Sequence, residues 1–144
     1  MTAYISVSHS NRKLIEKELN VICGTLKEFI IESFIFVDEY QFSLAQERQM
    51  MEQAMTDIAN CDILIAEVSH KGIGIGIEVG YAKAKKKPVI YLRQKNSDHS
   101  TTVSGISDFQ IIYRDDTDLQ MQLTEILNKI VAIDKSIATK QRLE

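Results

Sequence analysis

The chain has no tryptophan, one proline, two cysteines and no apolar run long enough to cross a membrane. A transmembrane helix needs about 20 consecutive apolar residues, so none is expected. The N-terminus enters a strand directly, without a basic leader, which predicts no signal peptide. Cys23 and Cys61 lie inside periodic apolar segments without metal-ligand spacing, a pattern of reduced core thiols in a cytoplasmic protein. His9, His70 and His99 are scattered over polar stretches, so no metal site is expected. Positive charge is also scarce, with a formal net charge of −3. The basic clusters Arg12-Lys13 and Lys83 to Lys87 are short and read as solvated helix faces, so nucleic acid is not an expected partner.

What is present is an ordinary globular composition, 44% hydrophobic and 26% charged over 144 residues. That length fits one domain burying about two-thirds of its unfolded surface. The expected limits are residues 1–138, with a frayed tail over 139–144. Strand-like and helix-like segments alternate throughout. Strands are expected at Ala3 to Ser8, Phe34 to Val37, Ile63 to Val68, Val89 to Leu92 and Phe109 to Tyr113. Leu14, Leu19, Ile22, Leu26 and Ile30 predict a helix from Arg12 to Ile31. A second follows from Leu44 to Asn60, with Met51, Met55 and Ile58 on its stripe as adaptable packing. The closing helix, Asp118 to Ala138, presents Leu119, Leu123, Ile126, Leu127, Ile130 and Ile133. Gln94 to Ser107 has no apolar periodicity and reads as a mobile loop or lid. The alternation predicts a single-domain, doubly wound α/β fold with a five-stranded parallel sheet in the order 2-1-3-4-5.

The stretch from Cys61 to Leu92 carries the chemical signal. A buried strand leads to Gly72, Gly74 and Gly76, which alternate with Ile73, Ile75 and Ile77. A helix then carries Glu78 and packs Val79, Ala82 and Ala84 toward the sheet, ending at Lys85 to Lys87 and Pro88. Lysines suit the negative end of the helix dipole and proline ends the helix. Glycine permits positive φ or close approach of a ligand, so a sharp turn is expected at this run. Two readings stay open: a simple strand-to-helix turn with Glu78 solvated in the first helical turn, or a ligand loop with a reactive carboxylate. Ligands in such sheets bind beyond the carboxyl ends of the strands, which is where Ser69 to Glu78 falls, beside Tyr4 to Ser10.

Taken together, Tyr4-Ile-Ser-Val-Ser8, Asp62-Ile-Leu-Ile-Ala-Glu67-Val and Gly74-Ile-Gly-Ile-Glu78-Val-Gly80-Tyr-Ala82 resemble the nucleoside 2-deoxyribosyltransferase superfamily, in particular its 2′-deoxynucleoside 5′-monophosphate N-glycosidase branch. The resemblance implies an enzyme that cleaves the N-glycosidic bond of a nucleoside or its 5′-monophosphate. Glu78 would be the nucleophile, Tyr4 would position it, and Ser8, Gly74 and Gly76 would bind substrate. No cofactor is implied. Ser104 would come from a neighbouring subunit of a homodimer with shared sites. Where the family has polar or aromatic groups this chain has Ala54, Gly72, Ile73 and Ile77, leaving Arg12 or Lys13 for the basic contact and Asp57 or Asp38 for the missing acid. A non-catalytic nucleotide-binding sensor and an NAD glycohydrolase are the alternative functions.

Overall fold

The computed structural model describes residues 1–143. Strand β1 (Thr2–Ser6) is followed by a 3-10 turn (His9–Ile15) and helix α1 (Glu16–Glu28). Strand β2 (Glu32–Ile35), the one-turn helix α2 (Phe36–Glu39) and helix α3 (Glu47–Asn60) lead to β3 (Ile63–Glu67). Helix α4 (Ile73–Ala84), β4 (Val89–Gln94), α5 (Thr101–Ile106), β5 (Phe109–Tyr113) and α6 (Asp116–Arg142) complete the chain. All four strand pairings are parallel and the order is β2-β1-β3-β4-β5, as expected from the sequence.

Side-chain alternation divides the core in two. Ala3, Ile5, Ile63, Ile65, Ile90, Leu92 and Ile111 pack against α1 and α6. Tyr4, Leu64, Ala66, Val89 and Tyr91 pack against Ala54 and Ile58 of α3, Ile75, Val79 and Ala82 of α4, and Val103 of α5. All five residues of β3 are buried, as in a parallel sheet covered on both faces.

Several boundaries differ from the sequence expectation. The 3-10 turn advances by three residues per turn, so it moves Ile15 into the core and leaves Leu14 exposed. Phe36 and Val37 are helical, and this turn brings Asp38 against Arg12. Gln94 to Ser107 contains α5, anchored by the buried Val103; one buried apolar residue in six gives no detectable period. On α3 the buried stripe is Ala54 and Ile58, with Met51 and Met55 only half-buried. Ala84 and Ile133 face solvent. Helix α6 starts earlier because Asp115 caps it, accepting from the Asp118 amide at 2.8 Å. It also runs to Arg142, through most of the segment expected to fray; Glu144 lies outside the described residues.

The glycine run is the largest correction. No glycine has positive φ. Gly72 is the extended residue preceding α4, and Gly74 and Gly76 lie inside the helix, so Glu78 stands in its second turn rather than its first.

Positive φ occurs instead at Ile30 (58°) and Lys86 (59°). Each ends a helix in a Schellman arrangement, with Ile31 N–H donating to Leu26 O and Lys87 N–H donating to Ala82 O. A β-branched residue in this conformation costs about 1–2 kcal/mol. Ile30 is also 90% exposed, so little packing offsets the cost. Ile30→Gly is therefore expected to stabilise the fold by about 1 kcal/mol, read as a higher urea midpoint; an unchanged or lower midpoint would contradict the assigned geometry.

Candidate active site

Three chain segments meet at the carboxyl ends of β1, β2 and β3 and enclose a cleft of about 790 Å³. The turn after β1 contributes Ser8, His9 and Ser10. The β2–α3 connection contributes Phe36, Asp38, Glu39, Tyr40 and Phe42. Met50, Met51 and Ala54 of α3 line one side, and Gly72, Gly74, Ile75 and Glu78 of the α4 region line another. A Cβ on Gly74 would stand 3.9 Å from Glu78 Oε1. The glycine thus keeps the approach to that carboxylate open without an unusual backbone conformation.

Glu78 is held in the cleft by the packing of α4 over β3 and β4, beside the end of β1. Residues two apart on a strand share a face, so Tyr4 and Ser6 both point toward α4. Burial raises the Glu78 pKa above its ordinary 4.5, and the facing hydroxyls of Tyr4 and Ser6 partly offset that rise. Neither hydroxyl forms a hydrogen bond of normal geometry: Tyr4 Oη, Ser6 Oγ and Glu78 Oε2 are all buried without a partner. Burial, then the Glu78 charge, drives the Tyr4 phenol well above its usual pKa, so it remains protonated as a donor. Buried polar groups are normally satisfied, and three adjacent exceptions mark a site arranged for something other than stability.

Around this centre runs an aromatic wall. Tyr4 stacks on Phe36 with centroids 5.9 Å apart, Phe36 meets Tyr40 at 5.1 Å, and Tyr40 meets Phe42 at 5.6 Å. Such faces accept a planar ring by stacking.

The expected site residues are not all together. Tyr4 adjoins Glu78, and Ser8 and Gly74 share its cleft. The Ser8 hydroxyl accepts from Asn11 Nδ2 at 2.9 Å instead of capping the following turn. Gly76 borders a different cavity, of about 400 Å³, between α4 and α5. Ser104 lies on α5 and lines neither cavity. Arg12 is not free for an anion: it grips Asp38 through Nε (2.8 Å) and Nη2 (2.7 Å) and also pairs with Glu16. Asp57 is outside the cleft. One of its oxygens accepts from Gln53 at 2.9 Å and the other is buried without a partner. Burial raises the Tyr40 pKa, and the nearby Asp57 adds to that rise.

Sequence reasoning missed Ser6 and the aromatic wall. Ser6 was visible as a serine two residues from Tyr4, on the same face of the strand. The wall depends on the turn at α2 and left no periodic signal. Among the described residues no cluster of metal-ligating side chains occurs.

Proteins of known structure share this fold. A conserved protein of Enterococcus faecalis V583 superposes with TM-score 0.66 at 13% identity, covering 87% of this chain and 98% of that one. A Clostridium botulinum CMP N-glycosidase superposes with TM-score 0.61 at 19% identity, covering 85% and 98%. A Bacillus psychrosaccharolyticus 2-deoxyribosyltransferase gives 0.62 at 15%, covering 83% and 90%. At these identities the likeness is one of fold. In sequence, a Thermofilum pendens protein bearing the name 2′-deoxynucleoside 5′-phosphate N-hydrolase 1, itself an inferred assignment, is 32% identical over 75 residues. That match spans 49% of this chain and 52% of the relative, about half of each. The family model described as nucleoside 2-deoxyribosyltransferase matches residues 14–129, and the chain therefore belongs to the nucleoside 2-deoxyribosyltransferase family.

Proposed function

We propose that this protein cleaves the N-glycosidic bond of a nucleoside or nucleotide, with Glu78 as nucleophile. The observation that carries the reading is the half-buried Glu78, whose Oε2 is buried and unpartnered, lining an aromatic-walled cleft. The names of the relatives, an N-hydrolase, an N-glycosidase and a deoxyribosyltransferase, support it.

In this mechanism the base stacks along Phe36, Tyr40 and Phe42, and the sugar lies toward Ser8 and Gly74. A Glu78 oxygen attacks C1′ as the bond to the base nitrogen breaks. The carboxylate stabilises the oxocarbenium-like transition state and then closes on it as an ester. Tyr4 and Ser6 act as positioning residues, their hydroxyls facing the carboxylate and closing on it as donors when substrate binds. Water hydrolyses the ester, or a second base accepts the sugar. The unpaired Cys23 and Cys61 suit a reducing, cytoplasmic setting.

Base release from deoxynucleosides, ribonucleosides and their 5′-monophosphates, followed by liquid chromatography, tests the role of Glu78. Glu78→Gln is expected to reduce release by more than about 10³-fold; undiminished release by a folded variant would refute the nucleophile. Release by neither protein, with nucleotide binding retained, would favour a binding module.

The pH dependence follows from the raised pKa of Glu78. Only the ionised carboxylate attacks, so kcat/KM should fall as pH drops through a value above 4.5. Ser6 lowers the Glu78 pKa, so Ser6→Ala should move this acid limb to higher pH. A limb that stays fixed or moves down would show that Ser6 does not act through Glu78.

Assembly as a homodimer, with Ser104 reaching a partner's cleft, is part of the same reading. It is supported by the placement of Ser104 away from its own cleft and by the exposed Ile73 and Ile77 one turn apart on α4. Sedimentation equilibrium should give twice the 16.4 kDa chain mass; a monomer at working concentration would contradict it.

A further inference from the structure

We propose that the base released from this cleft carries a fixed positive charge, as in a nucleoside or nucleotide of a pyridinium or an N7-alkylated purine. This inference rests on the reading of Glu78 as nucleophile and concerns what the remaining cleft residues can do for the leaving group.

A neutral base leaves as an anion unless it is protonated as the bond breaks, and a positioned general acid contributes about 10²–10⁴-fold to such a step. Among the ionisable side chains that line the cleft, only Glu78 and Tyr40 are shielded from solvent. Glu78 must be ionised to attack. Both oxygens of Asp38 are held by Arg12. Burial and the neighbouring Asp57 push the Tyr40 phenol away from proton release. The α3 side offers only Met50, Met51 and Ala54. Glu39 and His9 line the rim of the cleft and are exposed, so bulk water competes for any proton they carry.

The same walls favour a cation. Among the described residues, no lysine or arginine lines the cleft. Arg12 balances Asp38, leaving Glu39 and Glu78 as the uncompensated charges. Phe36, Tyr40 and Phe42 form a continuous run of aromatic faces, and cations bind such faces through the ring quadrupole. Tyr4 joins that run to Glu78, so the base attached at C1′ would lie along it.

A quaternised base also removes the need for an acid. As Glu78 bonds to C1′, the electron pair of the C1′–N bond returns to the ring nitrogen and cancels its charge. The base departs neutral without gaining a proton. Water then cleaves the ester, giving the free sugar, the regenerated carboxylate and one proton released to solution.

Two measurements test the inference. The first is binding to Glu78→Gln of nicotinamide riboside and of its 1,4-dihydro form, which has nearly the same outline and no charge. The cation should bind at least about tenfold more tightly; equal or tighter binding of the dihydro form overturns the proposal. The second is turnover by the wild type, with each rate divided by that substrate's uncatalysed rate. Nicotinamide riboside should be accelerated at least about 10²-fold more than inosine or cytidine, with a pH profile that rises and then stays level. If neutral nucleosides are accelerated as strongly, in a Glu78-dependent reaction that declines at alkaline pH, a proton donor exists. The present inference then fails while the nucleophile stands. No release from any substrate by the folded protein overturns both.

Discussion

One carboxylate buried without its full set of hydrogen bonds is the constraint on which the site depends. An unsatisfied buried polar group costs about 1–3 kcal/mol, more when charged. Glu78 Oε2, Tyr4 Oη and Ser6 Oγ lie together in that condition. The fold tolerates them because β1 and β3 are fixed on both faces by apolar packing, and α4 is anchored by Ile75, Val79 and Ala82. The rigid scaffold keeps the Tyr4 and Ser6 hydroxyls facing the Glu78 carboxylate.

Glu67 provides an internal contrast. It lies at the end of β3 on the opposite face of the sheet and is 1% exposed. Burial raises its pKa too. Its oxygens, however, accept from the Ser69 amide and the Tyr113 hydroxyl, each at 2.7 Å. Ser69 in turn receives the Gln94 amide at 2.8 Å. Glu67 thus ties together the carboxyl ends of β3, β4 and β5. Two acids eleven positions apart share a raised pKa, yet one closes a structural network and the other opens on a cleft. Burial is complete at Glu67 and partial at Glu78, and hydrogen-bond completion separates them further.

The strands were legible because a parallel sheet covered on both faces demands short, continuous apolar runs, and Ile63 to Ala66 and Val89 to Leu92 supply them. Strand order followed from the alternation of elements, and the neighbourhood of Tyr4, Ser8, Gly74 and Glu78 followed from strand order. Features set by local backbone choice were not legible. The glycine run suggested a turn, although Gly74 and Gly76 are helical and Gly74 matters for the space beside Glu78. Ile30 reads as the last residue of an apolar stripe but is an exposed helix terminus with positive φ. Arg12 looked free for an anion until the turn at α2 brought Asp38 to it. The aromatic wall depends on that same turn, so its components were visible in the sequence and their assembly was not.

The account turns on a covalent bond between Glu78 and the sugar, and a trapping experiment addresses it most directly. A 2′-fluoro nucleoside with a good leaving base destabilises the oxocarbenium-like state and slows hydrolysis of the ester. Intact-mass analysis followed by peptide mapping should find one fluorosugar per chain, attached to the peptide containing Glu78 and absent from Glu78→Gln. Turnover of the parent nucleoside with no such adduct, or with an adduct on another residue, would contradict the assignment of Glu78 as nucleophile.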